Sequence, residues 1–384
     1  MNKLLGCISI FAGALLCVSC ENDDLPTPTT PLAIASQNVA FTSVGGTGSV
    51  VVGNPEDTLT TVRAVTDADW ATVSVSGNTI TVEAKENPNI TSRAASLKIY
   101  SGSDSVTTSI SQLGLTFNIE ADKENYLDDQ AQQGEVTIQH TLPVQLVHVP
   151  DWVDITSTDN GFVYQVEENK TGAFRRDYIK IQTGNVADSI LIAQGELADL
   201  VGDIILAGYN SKFKTVSYSA SIQVAKDDKP YLVVPDLGVT YPFQWNQKSH
   251  QAIFLSGAQL GTFNYQNTAY SIYPIFVSLT DGATIFESGY GIGADFVGED
   301  GITLSEFKLS GLNSSDATEM GIAFGLFDGE EATKDTYTGI NLAFLYYPSL
   351  IKLPAQAAAK SNIPAALLKK KQKANNKLIT PFVK

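Results

Sequence analysis

Cysteine is nearly absent from this chain and missing from its body: Cys7, Cys17 and Cys20 all fall in the first twenty of 384 residues. The remainder can form neither a disulfide nor a thiolate metal site. Positive charge is also scarce, with 25 Lys and Arg against 41 Asp and Glu and a net charge of -16. That balance argues against a nucleic-acid partner, because phosphate binding needs a basic face. The three histidines, His140, His148 and His250, form no ligand pair at helical spacing, and no HExxH, GxSxG or EF-hand pattern occurs. No cofactor is expected. The N-terminal apolar run, Leu4 to Leu16, is too short to span a bilayer. No stretch of the body has helical periodicity. What is present is 43% hydrophobic and 17% charged, enough to bury real cores, and the length suits two or three domains.

Residues 1–19 read as an export signal, with Lys3 as its positive start and Leu4 to Leu16 as its apolar core. Its end, Leu16-Cys17-Val18-Ser19-Cys20, resembles a bacterial lipoprotein cleavage box, with small Ser19 just before the acceptor Cys20. The resemblance implies cleavage before Cys20 and its acylation, giving a lipid anchor in an outer membrane. An ordinary secretory signal is the alternative. Next comes Glu21-Asn22-Asp23-Asp24, similar to the export tag of surface-exposed lipoproteins in Bacteroidetes, within an acidic and Pro/Thr linker over 20–33. Proline there favours an extended spacer.

The first half of the body is duplicated. Trp70 is followed by Asn87, Arg93 and Gln112, and Trp152 by Asn169, Arg175 and Gln194, at the same spacings and an offset of 82 residues. Upstream the copies drift, Gly48 lying 22 residues before its Trp and Gly134 only 18, as an insertion in a loop would produce. Both copies alternate apolar and polar residues at the period of two expected of half-buried strands, for example Ile80, Val82 and Ala84 against Phe162, Tyr164 and Val166. Two immunoglobulin-like β-sandwiches, 34–114 and 115–195, follow.

The Trp, the Asn placed six residues before Arg, and the closing Ser109-Ile110-Ser111-Gln112-Leu113-Gly114 resemble the BACON domain (Bacteroidetes-associated, carbohydrate-binding, often N-terminal), in two copies. The second copy closes on a shorter Ala193-Gln194-Gly195. The resemblance implies glycan binding or a spacer role. One Trp per small sandwich, at a fixed distance from the strands, reads as a core anchor rather than a sugar platform.

Composition shifts near residue 196. Residues 34–195 hold 10 aromatics in 162 positions and residues 196–351 hold 23 in 156, which makes the second region the better seat for specific binding. Its alternating runs predict an all-β module, either an antiparallel β-barrel or a jelly-roll-like sandwich. The stretch Gly257 to Phe263 looks like lipocalin-like barrels that follow BACON repeats. In Tyr241-Pro242-Phe243-Gln244-Trp245-Asn246 a strand would project Tyr241, Phe243 and Trp245 from one face. Aromatic faces suit sugars, whose C–H groups pack on rings while their hydroxyls seek amides. The candidate glycan-binding residues are therefore Tyr241, Trp245, Tyr265, Tyr270 and Tyr273; filling a barrel interior is the competing use of such aromatics. Residues 352–384 form a basic tail of eight lysines and no acid, and without the tail and signal the body carries -25.

No enzyme is expected: Asp295, Glu299 and Asp300 lie near glycine-rich turns, where acids are ordinarily solvated. The sequence predicts a non-catalytic, surface-exposed lipoprotein whose partner is a glycan, with a protein-interaction subunit of an envelope assembly as the alternative.

Overall fold

A computed structural model describes residues 31–53, 61–279, 284–285, 288–299, 301–310 and 320–353, leaving out the side chains of 299, 309 and 310. Cys20, the linker up to Thr30 and the tail beyond Leu353 lie outside the described residues. Two compact units are present: the first sandwich forms one, and the second sandwich with the C-terminal module forms the other.

The first sandwich contains β1 (Ala33–Asn38), β2 (Ala40–Phe41), β3 (Gly46–Gly53), β4 (Val62–Thr66), β5 (Ala71–Ser76), β6 (Thr79–Ala84), β7 (Arg93–Ser101) and β8 (Asp104–Gln112). One sheet runs β1-β3-β6-β5 and the other β2-β8-β7-β4. The period-two pattern does what it predicts. Val50, Val52, Ile80, Val82, Leu97, Ile99 and Ile110 all point inward and lose all solvent contact. Each such side chain contributes about 1.5–3 kcal/mol through burial.

The second sandwich repeats this arrangement with β9 (Phe117–Glu120), β10 (Glu124–Leu127), β11 (Gln132–His140), β12 (Val144–His148), β13 (Val153–Thr158), β14 (Gly161–Val166), β15 (Arg175–Thr183) and β16 (Val186–Gln194). Its sheets run β9-β11-β14-β13 and β10-β16-β15-β12, strand for strand the order of the first copy. Gly48 pairs with Val82 and Gly134 with Tyr164, positions related by the same offset of 82. The drift between copies therefore falls in the connection from β3 to β4, which is four residues longer than that from β11 to β12.

The residues that recur in sequence meet in space. The Arg93 guanidinium lies 4.6 Å over the Trp70 ring, donates to the Gln112 side-chain oxygen at 2.9 Å and caps the Glu86 carbonyl. Arg175 treats Trp152, Gln194 and the Glu167 carbonyl alike, at 4.4 Å, 2.9 Å and 2.7 Å. Asn87 and Asn169 donate across the following loop to the carbonyls of Thr91 and Ala173. Each Trp is thus held under an arginine that is itself fixed at both ends.

A short helix, α1 (Leu197–Leu200), leads into the C-terminal module. Its strands are β17 (Gly202–Tyr209), β18 (Thr215–Val224), β19 (Pro230–Val234), β20 (Val239–Asn246), β21 (Gln251–Leu255), β22 (Gly261–Tyr265), β23 (Thr268–Ser278), β24 (Thr284–Ile285), β25 (Gly291–Glu299), β26 (Ile302–Ser310), β27 (Met320–Phe327) and β28 (Tyr337–Lys352). Eight of them, β17-β18-β19-β20-β21-β25-β26-β28, close into a ring when β28 pairs back to β17. Of the two predicted alternatives, the barrel is the one that forms. The first half of β28 instead pairs with β27, from which β23 and β22 extend the sheet. The exchange of neighbours along β28 occurs at Tyr347-Pro348, where Tyr347 turns left-handed with φ 49.

An eight-stranded barrel encloses just enough room for side chains. Here the space is filled by aromatics: Phe254 packs against Tyr241 at 4.9 Å, Phe243 at 5.0 Å and Phe307 at 5.8 Å. Much of the aromatic enrichment of the module is spent on this core.

Candidate functional site

The five aromatic candidates do not share a surface. Tyr241 is 1% exposed, and its hydroxyl donates to the Leu255 carbonyl at 2.7 Å. Burial pushes its phenol well above the usual range. Tyr273 is 3% exposed, packs on Phe327 and donates to the Glu330 carbonyl. Neither offers a ring to a ligand, and both assignments are corrected. The reason is parity: Tyr241 and Phe243 do project from one face of β20, but that face is the barrel interior.

Trp245, next on the same face, reaches the barrel mouth and is taken up in the joint with the second sandwich. It meets Phe174 edge-on at 6.1 Å, stacks on His250 at 6.4 Å and donates from Nε1 to Gln247 at 3.0 Å. As a stacking platform for sugar it too is corrected. Phe174 completes this joint by a T-shaped contact with His250 at 5.1 Å, and its backbone N–H donates to the Thr303 hydroxyl. A Cβ at Gly298 would fall 1.7 Å from the Phe174 carbonyl, so β25 passes this close only because the residue is glycine.

His250 is buried, with φ 48, and its Nε2 lies 2.9 Å from the Leu127 carbonyl. A carbonyl only accepts, so Nε2 carries the proton of a neutral ring. Burial lowers the imidazole pKa to about 4, the bond to Leu127 opposing the shift. Nothing in the sequence marked His250, since its partners Phe174 and Leu127 lie far away along the chain. A small crevice of about 90 Å³ beside it, lined by Tyr126, Arg176, Ser249 and Lys308, has room only for a few waters.

The remaining two candidates, Tyr265 and Tyr270, do come together, on the β22–β23 hairpin. Its register places Phe263 opposite Tyr270 and Tyr265 opposite Thr268. Residues two apart on a strand share a face, so Phe263, Tyr265 and Tyr270 form one aromatic surface. Phe263 is 36% and Tyr265 42% exposed, while Tyr270 is half-buried against the barrel core and anchors the other two. The tip is a two-residue turn, Gln266-Asn267, with both φ positive at 49 and 65. Such a turn matches the strand twist and holds the hairpin in register. β22 ends the sheet, and among the described residues no strand pairs with its outer edge. From Ser256 to Leu279 the chain has no charged residue. Phe263, not singled out by sequence reasoning, belongs to this surface because of the register the turn imposes.

Elsewhere, a shallow groove of about 440 Å³ on the first sandwich runs beside Phe41, Arg93 and Leu113. Asp295 is held by Gln251 and by Lys308 at 2.6 Å; the side chain of Glu299 and all of Asp300 lie outside the described residues. His148 pairs with Asp177 at 2.8 Å, and His140 bonds the Leu142 carbonyl. Among the described residues no three His, Cys, Asp or Glu side chains gather as metal ligands. No helix among them is long and apolar enough to cross a membrane.

The fold defines a modular all-β chain, two immunoglobulin-like sandwiches followed by a closed eight-stranded barrel. Residues 60–113, within the first sandwich, match the BACON family model, described as "Putative binding domain, N-terminal". No curated protein matches the chain in sequence. Among solved structures it is similar to the I9–I11 tandem of titin, with 10% identity, 83% of this chain and 97% of that one covered, and a TM-score of 0.31. It is also similar to an endo-fucoidan hydrolase of glycoside hydrolase family 107, with 12% identity over 44% of this chain and a TM-score of 0.22. The match spans only 29% of that hydrolase. At such scores these likenesses carry no weight for function.

Proposed function

We propose that the chain is a non-catalytic, lipid-anchored surface protein that binds glycans through its C-terminal barrel, with the sandwiches acting as spacers. The observation that carries this reading is the face formed by Phe263, Tyr265 and Tyr270 on an exposed, uncharged hairpin. Sugar C–H groups pack on such rings, and the amides of Gln266 and Asn267 at the tip reach hydroxyls. Because the hairpin has no charge, the ligand it suits is a neutral saccharide. The Trp70 and Trp152 rings, each covered by an arginine, support a structural role for the sandwiches. Anchoring rests on the Cys20 box, and the acidic body suits display at an outer surface.

A glycan array probed with the full chain tests the reading, repeated with the Phe263→Ala/Tyr265→Ala double variant. Binding to neutral glycans that the double variant loses is expected; no binding to any glycan would sink it. For the anchor, Cys20→Ser should abolish incorporation of a lipid analogue, and persistent labelling would refute acylation there.

One observation favours a second reading, an interaction subunit of an envelope assembly. The outer edge of β22 leaves backbone donors and acceptors open to an added strand from a protein partner. Replacing Asn264 by Pro would block strand addition while sparing the aromatic face, and so separates the two.

A further inference from the structure

The turn between β17 and β18 holds a second exposed aromatic, built differently from the hairpin. Phe213 sits at its tip with φ 52, a left-handed conformation that a bulky residue adopts only when its surroundings enforce it. The enforcement is visible. The Asn210 side-chain oxygen accepts from the backbone N–H groups of Lys212 and Lys214, at 3.0 and 3.1 Å. Its backbone bonds Phe213 and Lys214 at 2.8 and 2.9 Å. So held, the Phe213 ring stacks on Tyr346 at 5.1 Å and 13°, and Tyr346 is braced edge-on by Phe344 at 4.5 Å. One face of Phe213 is used by this stack, yet the residue remains 41% exposed. A rigid, supported ring therefore faces solvent.

Its neighbours in the chain are Lys212 and Lys214, both exposed and, among the described residues, without an ion pair. On a body of net charge -25 this is a small basic island around an aromatic face. We propose that the turn is a binding subsite for an acidic saccharide, with a sugar ring on the outer face of Phe213 and its carboxylate or sulfate taken by Lys212 and Lys214. The ring supplies contact with C–H groups and the lysines supply charge complementarity. The acidic remainder of the protein repels long polyanions, so the ligand is a short acidic oligosaccharide or a terminal acidic residue. The subsite stands whether or not the hairpin binds neutral sugar.

The test is titration of the full chain with trigalacturonate, with a sulfated heparin disaccharide and with neutral maltotriose, followed by backbone amide shifts in nuclear magnetic resonance. Saturable shifts confined to residues 211–215 and to Tyr346 are expected with one or both acidic sugars, weakening as salt rises. Phe213→Gly keeps the turn, since glycine adopts this φ without strain, and should weaken affinity about tenfold or more. Lys212→Ser/Lys214→Ser should do the same, whereas Phe263→Ala/Tyr265→Ala should leave acidic-sugar binding intact. Trigalacturonate and the disaccharide distinguish carboxylate from sulfate recognition. The proposal is overturned if neither acidic sugar shifts the turn, if maltotriose shifts it equally, or if both turn variants bind as the parent does. Turn-dependent binding to phosphatidylglycerol vesicles without binding to either acidic sugar would also overturn it, in favour of a lipid surface.

Discussion

His250 in the barrel bonds the backbone carbonyl of Leu127 in the second sandwich, 2.9 Å away, and does so as a neutral imidazole. The pKa in the folded state, about 4, lies below the 6.5 of the unfolded chain. Between these values the unfolded state binds more protons, so stability falls as pH drops from 6.5 towards 4. The loss amounts to at most about 3 kcal/mol. His250→Asn tolerates the left-handed backbone and cannot titrate. It should unfold more readily at pH 7.5 but show a flatter acid dependence, measured by urea unfolding of the second unit. Trp245 fluorescence, quenched by a protonated ring stacked on it, should report the same transition near pH 4.

Asp199 in α1 acts in the opposite sense. Burial, aided by the nearby carboxylates of Asp129 and Glu196 and opposed by a hydrogen bond from the Glu196 N–H, raises its pKa from 3.8 to about 6. A raised carboxyl contributes stability that is present below pH 3.8 and lost as pH rises through 6. Asp199→Asn keeps an acceptor for the Glu196 N–H and removes the charge. It should stabilise the second unit by about 1 kcal/mol at pH 7.5 and by nothing at pH 4. Because Asp199 partly offsets His250 in the wild type, the variant should also lose stability more steeply in acid. Parallel urea curves at pH 4, 5.5 and 7.5 check both statements.

The repeated Trp–Arg–Gln cluster predicts where the first unit is vulnerable. Gln112 is buried and holds the Thr42 and Lys85 carbonyls at 3.0 and 2.9 Å while accepting from Arg93. Gln112→Leu leaves those groups unpaired and should cost about 2–4 kcal/mol. In calorimetry the transition of the first unit should fall by roughly 10 °C while that of the second unit stays in place. Arg93→Lys, which keeps charge but loses the fork and the flat stack, should cost about 1–2 kcal/mol. A matching fall of the second transition would show that the two units do not unfold independently.

The sandwiches were legible because their strands alternate strictly and because four residue types recur at one offset. The loop position of the length difference was legible too, since Gly48 and Gly134 survive as markers on either side of it. The closing pair of the barrel was not, because β17 and β28 are joined only after some 140 residues and no local pattern encodes that contact. The same distance hides the His250–Phe174 joint. Tyr241 shows a different limit. Period two correctly put Tyr241 on one face with Phe243 and Trp245, but period alone does not say whether a face looks inward or outward. For the hairpin, Gln266-Asn267 lacks the Asn-Gly signature that would have fixed the turn and hence the Phe263–Tyr270 pairing.

That turn offers a direct handle on the candidate site. Gln266 holds φ 49 with a side chain poorly suited to it, and Asn267 holds φ 65. Replacing the pair by Asn-Gly installs the residues the backbone already demands, and should stabilise the hairpin by about 0.5–1 kcal/mol. The aromatic face would then be better ordered. If Phe263, Tyr265 and Tyr270 bind sugar as a preformed surface, affinity for neutral glycans should rise or hold, because less ordering is lost on binding. If instead the tip amide of Gln266 carries the recognition, affinity should fall although the hairpin is firmer. Tyr241→Phe is the control: it leaves the Leu255 carbonyl unpaired and should cost about 1–2 kcal/mol of stability without changing affinity. Hydrogen exchange of the residue 261–272 amides, measured beside glycan titration for all three proteins, reads order and binding separately.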